Sequence, residues 1–163
     1  MTNASDIDAI LRLATEQNLV LTCAESCTGG LVAAALTHAP GSSKMFEFGF
    51  VTYSNVAKIK LLNVAPSTVD TFGAVSEPTV REMALGALAQ SGADISVAIS
   101  GIAGPGGSDH KPEGRVCFAL ARRQKHAPAS VSAETKEFGA CGRDKVRLRA
   151  RDYALRLLRC ELA

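Results

Sequence analysis

The run Thr22-Cys23-Ala24-Glu25-Ser26-Cys27-Thr28-Gly29-Gly30 sets a serine and a cysteine between two apolar segments. Leu19-Val20-Leu21 before it is β-like, and Leu31-Val32-Ala33-Ala34-Ala35-Leu36 after it is helix-like. A hydroxyl at a strand-to-helix turn can act as a nucleophile. The unpaired N–H groups and partial positive charge of a helix N-terminus suit an oxyanion or a phosphate. Gly29 and Gly30 let the backbone come close to such a ligand. Ser26 is therefore the leading candidate nucleophile. Cys27 is a second, because helix N-termini lower thiol pKa values, though no His or Asn partner accompanies it. Glu25 reads either as an acid–base group or as an acidic residue favouring the helix dipole.

A serine nucleophile needs a base. None of the three histidines, His38, His110 and His126, is flanked by residues that mark a triad. Tyr53-Ser54-Asn55-Val56-Ala57-Lys58 is the alternative. A lysine desolvated in a pocket loses its proton near neutral pH and can take one from a serine, with Tyr53 donating or relaying a proton beside it. Lys58 and Lys60 lie about 200° apart on a helix, so one of them at most faces a pocket. Spacing leaves both open, and a solvated surface charge is the plain reading of either.

The second glycine-rich stretch, Ser100-Gly101-Ile102-Ala103-Gly104-Pro105-Gly106-Gly107-Ser108, follows the apolar run Ile95–Ile99. Loops at the carboxyl ends of strands are where open α/β sheets bind ligands. If the strands before Ser26 and Ser100 are parallel neighbours, both loops open on one sheet edge and form one pocket. Neither loop carries the P-loop or dinucleotide fingerprint. Arg143 and Arg147 share a helix face. Their charges oppose the dipole of that helix by about 0.3–1 kcal/mol each when exposed, which an anionic partner offsets; a helix that is simply basic explains them equally well. Cys23 and Cys27 straddle a turn without a second Cys/His pair at zinc spacing, so no metal site is expected.

These residues need elements to hold them. Ser5 caps a first helix running to Glu16, Leu19–Cys23 is a strand, and Thr28–His38 is a helix. Phe46–Tyr53 alternates like a half-buried strand. Ser54 caps the helix Asn55–Leu62, and Ser76, with Pro78 in the first turn, starts a helix that ends at Gly92. Ile95–Ile99 is a central strand. Arg115–Ala121 and Ser130–Phe138 are two more, joined through the polar hairpin Arg122–His126. The last helix, Arg143–Leu162, buries Val146, Ala150, Tyr153 and Leu157. The pattern predicts an α/β fold, a three-layer sandwich of helices around a mixed, largely parallel sheet, as a single domain over residues 1–163.

Composition narrows the function classes. A chain of 163 residues with formal charge +2 has too little positive charge to argue for nucleic acid. The basic last helix is interleaved with Asp144, Asp152 and Glu161 and lacks an aromatic stacking face. No apolar run approaches the roughly 20 residues of a membrane span, and Met1–Asp6 carries no secretory pattern. Five scattered cysteines are an odd count, which reads as free thiols in a reducing cytoplasm.

Taken in order, Ala24–Gly30, Tyr53-Ser54-Asn55 with Lys58, Gly101–Gly107, Lys111-Pro112 and Arg143-x-x-Val146-Arg147 resemble the CinA C-terminal domain family over nearly the whole chain. The resemblance implies a nicotinamide-nucleotide amidohydrolase, which hydrolyses nicotinamide mononucleotide to nicotinic acid mononucleotide and ammonia. It also implies a cytoplasmic enzyme, often a homo-oligomer, that needs no cofactor. Many family members carry an additional N-terminal domain, and this chain resembles the stand-alone form. The family's Tyr-Ser-Asn-x-x-Lys pattern selects Lys58 over Lys60. By resemblance, Ser26 is the nucleophile, Lys58 the base and Tyr53 a hydrogen-bonding partner. Glu25 and the Thr28, Gly29 and Gly30 helix start then meet the substrate's reacting end. Gly101, Gly104, Gly106 and Gly107, with Arg143 and Arg147, bind ribose and phosphate. Two positions depart from the family pattern. Cys141-Gly142 replaces an expected Gly-Asp, which bears on the aim of Arg143, and Glu113 stands where an apolar residue is usual, read as a surface change. The rival reading is a non-catalytic nucleotide-binding regulator linked to competence or DNA damage.

Overall fold

Two serines start the helices that frame the site. Ser54 Oγ accepts the Ala57 N–H at 3.1 Å to cap α3 (Asn55–Leu62), and Ser76 Oγ accepts the Thr79 N–H at 3.3 Å to cap α5 (Glu77–Ser91). Each cap satisfies a backbone donor that the helix itself leaves orphaned. The computed structural model describes residues 4–108 and 110–163, with side chains from residue 6. The other elements are α1 (Ala4–Glu16), β1 (Leu21–Glu25), α2 (Leu31–Leu36), β2 (Phe46–Val51), α4 (Pro66–Phe72), β3 (Ile95–Gly101), β4 (Arg115–Arg122), β5 (Ser130–Glu137) and α6 (Arg143–Leu162).

The five strands form one sheet in the order β2-β1-β3-β4-β5. β1 pairs in parallel with β2 and β3, whereas β4 runs antiparallel to both β3 and β5. The sheet is thus mixed and parallel where β1 and β3 meet, so the loops after both strands leave from the same edge.

Alternation along the strands divides the sheet between two cores. Leu21 and Cys23 of β1, Ile95, Val97 and Ile99 of β3, and Val116 and Phe118 of β4 pack with residues of α1, α2 and α6. Ala24, Ala98, Cys117, Ala119 and Ala121 face Val80, Met83, Ala84 and Ala87 of α5. The side chains on this second face are small, so α5 lies close to the sheet. Gly86 continues the close packing, since a Cβ there would run into the Leu62 carbonyl at the end of α3. That contact seats the helix that carries Lys58.

Several expectations shift. β1 begins and ends two residues later than expected, because the polar Glu25 is fully buried and belongs to the strand. β2 is an edge strand with no buried residue, rather than a half-buried one. α2 is shorter than Thr28–His38, and α4, with Pro66 in its first turn, was not foreseen. On α6, Val146 and Ala150 are buried. Tyr153 and Leu157 are only half-buried, and Ala154, Leu155, Leu158 and Leu162 make the deeper contact. The described part of α1 already includes residue 4; the Ser5 cap and the reading of Met1–Asn3 lie outside the described side chains.

Candidate active site

β1 sends alternate side chains to opposite faces of the sheet, and the two residues at its end divide accordingly. Glu25 turns toward α2 and Ser26 toward α3. The Ser26 N–H donates to Ile99 O at 2.9 Å, which holds the Ser26 loop level with the end of β3. From α3, Lys58 Nζ donates to Ser26 Oγ at 3.0 Å and to Thr52 O at 2.8 Å. Lys58 is 1% exposed, and among the described residues no carboxylate pairs with it. Burial disfavours the ammonium and lowers its pKa from 10.5 to about 8, a drop that Cys27 partly opposes. A lysine in that state can hold or accept a proton near neutral pH. Lys60 is exposed.

The start of α2 is already filled. Glu25 Oε2 accepts the N–H groups of Gly30 and Val32 at 3.0 and 3.1 Å, and Oε1 accepts that of Ala33 at 2.8 Å. The Gly29 N–H donates to Ser26 O at 3.0 Å. The expected oxyanion donors at Gly29 and Gly30 therefore have protein partners, and Glu25 itself serves as the anion at the helix end. With that end occupied, the Cys27 thiol is not activated. Burial pushes its pKa up to about 12, leaving a protonated group of low nucleophilicity.

Ser26 and Lys58 open on a cavity of about 220 Å³ that Tyr53, Gly101, Lys111 and Arg143 also line. Among the described residues its wall carries three cationic side chains and no carboxylate. Arg143 donates to Gly104 O at 2.8 Å and to the Tyr53 hydroxyl at 2.7 Å, which fixes both at the rim; Tyr53 is 59% exposed. Lys111 Nζ donates to Phe72 O at 2.9 Å and Val75 O at 2.7 Å and so holds the turn between α4 and α5 against the cavity. A larger depression of about 350 Å³ lies along α6 beside Asp6, Arg149 and Arg159. There Asp6 pairs with Arg159, and no buried nucleophile faces it.

A model of the CinA C-terminal domain matches residues 4–162. The chain belongs to this family. The nicotinamide-nucleotide amidohydrolase PncC of Escherichia coli K12 is 50% identical over 139 residues, covering 85% of this chain and 81% of the relative. PncC of Enterobacter agglomerans is 52% identical over 136 residues, covering 83% and 80%. Other curated relatives are longer. The chain spans 36% of one from Symbiobacterium thermophilum and 35% of a CinA-like protein from Chlorobaculum tepidum. The crystal structure of competence/damage inducible protein CihA from Agrobacterium tumefaciens superposes with a TM-score of 0.88 at 42% identity, covering 99% of this chain and 98% of that one. The α/β fold is that of the CinA structures.

Within this CinA C-terminal domain, Ser26, Lys58, Tyr53, Gly101 and Arg143 line the cavity together. Glu25, Thr28, Gly29, Gly30, Gly104, Gly106, Gly107 and Arg147 are not among the residues that line it. Arg147 donates to Cys27 O at 3.1 Å and Thr28 O at 3.2 Å, bracing the loop that follows Ser26. Glu113 proves more than a surface change. Its carboxyl accepts the N–H groups of Gly106 at 2.7 Å and Gly142 at 2.9 Å, tying the glycine loop to the start of α6 where Gly142 offers no side-chain cap. Sequence reasoning missed Ser100, Val75 and Ile102 as lining residues. Ser100 had one signal, its place at the head of the glycine loop.

Proposed function

We propose that this chain hydrolyses the carboxamide of nicotinamide mononucleotide through a serine–lysine pair. The observation that carries the reading is the buried, carboxylate-free contact between Lys58 Nζ and Ser26 Oγ at 3.0 Å. Lys58 takes the proton as Ser26 Oγ forms a bond to the carboxamide carbon. The N–H of Cys27, which lines the cavity and makes no hydrogen bond to another described residue, receives the oxyanion. The C–N bond then breaks, and the Lys58 ammonium returns its proton to the nitrogen, which leaves as ammonia. Water attacks the acyl ester and gives a proton to Lys58. The bond from the acyl carbon to Ser26 Oγ then breaks and Lys58 passes that proton to Oγ, which frees nicotinic acid mononucleotide and restores both residues. A volume of about 220 Å³ is below the range usual for a whole drug-sized ligand. The pyridine carboxamide therefore enters it while ribose and phosphate lie at the rim beside Arg143 and Lys111.

Two family members named as PncC, each covering most of this chain, support the substrate. The test is ammonia release from nicotinamide mononucleotide by the purified protein, matched mole for mole by nicotinic acid mononucleotide. Thermal stabilisation by the nucleotide with no ammonia released over hours contradicts the proposal and favours a non-catalytic binding protein.

A further inference from the structure

Among the described residues four buried hydroxyls, on Thr28, Thr52, Ser96 and Ser100, lack a hydrogen-bond partner. Of these four, only Ser100 lines the cavity. Its side chain is 1% exposed, and a buried hydroxyl left unpaired is unfavourable for the fold. Its place beside the nucleophile follows from strand register. β1 and β3 are parallel with Glu25 opposite Ile99, and the Ser26 N–H donates to Ile99 O, so Ser26 stands level with Ser100 on the neighbouring strand. Ile95, Val97 and Ile99 face the α6 side. Ser100 therefore faces the α5 side, where α3 brings Lys58 onto Ser26. Parallel neighbours lie about 4.8 Å apart, so an acyl group on Ser26 sits against the Ser100 side chain.

Among the described residues the wall of the cavity carries the donors Lys58, Lys111 and Arg143 and no Asp or Glu. A primary carboxamide brings one acceptor oxygen and two N–H donors. The oxygen finds donors readily, whereas the N–H groups need an acceptor. We infer that Ser100 is a specificity-determining residue whose hydroxyl oxygen accepts an N–H of the scissile carboxamide beside Ser26. This rests on the amidohydrolase reading above and adds to it the means of recognising an amide. The hydroxyl holds the leaving nitrogen in line with Ser26 and Lys58. The carboxylate product has no N–H and loses that bond, which eases its release.

The experiment compares wild type and Ser100→Ala on nicotinamide mononucleotide and on the methyl ester of nicotinic acid mononucleotide, whose leaving group carries no N–H. The inference expects kcat/KM on the amide to fall roughly tenfold or more, with ester hydrolysis within about twofold of wild type and thermal stability unchanged or higher. Retained ester hydrolysis also shows that the variant is folded. Equal losses on both substrates, or no loss on either, overturn the inference and leave the amidohydrolase reading standing. Wild-type protein that cleaves neither substrate overturns that reading, and this inference with it.

Discussion

Replacing Lys58 with methionine should change how the protein's stability responds to pH, by an amount that follows from burial. The unfolded chain keeps this lysine protonated up to about 10.5, whereas in the folded protein the proton leaves at about 8. Between those values the unfolded state binds the extra proton, so stability rises with pH across that window and is lost again as pH falls through 8. The gap of 10.5 to about 8 is about 2.5 pH units, which at about 1.36 kcal/mol each is about 3 kcal/mol. Lys58→Met has a similar shape and no proton to bind. Wild-type stability minus variant stability should therefore climb by about 3 kcal/mol from neutral pH to 10.5. The buried thiols Cys23, Cys27 and Cys117, whose pKa values are raised by burial, act in the opposite direction above about 9. Both proteins share them, so they largely cancel in the difference. Urea denaturation of the two proteins across this range measures it. A difference flat to within about 0.5 kcal/mol refutes the reasoning, because the folded lysine would then keep its proton as an exposed one does.

Glu25→Gln should destabilise the protein by about 2–3 kcal/mol, since an amide cannot accept from Gly30, Val32 and Ala33 together and one buried N–H is left unpaired. A drop of roughly 8 °C in Tm would report it; an unmoved Tm with activity abolished would make Glu25 a chemical participant instead. Gly86→Ala should cost about 1–3 kcal/mol, because the added methyl meets the Leu62 carbonyl and pushes α3 away from α5. Thermal melting checks it, and a wild-type Tm would contradict the close packing. Glu113→Ala frees the glycine loop from the start of α6, so KM for the nucleotide should rise about tenfold with kcat within about threefold of wild type. Steady-state kinetics with a reduced kcat and unchanged KM would place Glu113 in the chemistry rather than in holding the rim.

Features decided by local chemistry were legible in the sequence. Ser54 and Ser76 cap the helices they precede because the bond runs from a side chain to a backbone N–H three residues on. β3, β4 and α6 announce themselves by apolar runs and helical spacing. Features that depend on what packs against them were hidden. Glu25 looks like a loop acid until α2 folds back over it and supplies three donors. The same burial extends β1 past the expected end. Lys58 could not be told from Lys60 by spacing alone, because its pKa depends on the sheet, the Ser26 loop and α3 excluding water together. Glu113 and Gly142 are 29 residues apart in the chain, and only the fold joins them. Ser100 reads as one more strand residue until its register beside Ser26 is known.

The central claim is that Ser26 is the nucleophile and that Lys58 serves it as base. The most direct measurement is the rate of ammonia release from nicotinamide mononucleotide by Ser26→Ala, set against wild type at matched folded concentration. The account predicts a loss of at least about 1,000-fold in kcat with thermal stability retained, as expected when a nucleophile is removed from a unit that acts together. Turnover by Ser26→Ala close to that of wild type would contradict it.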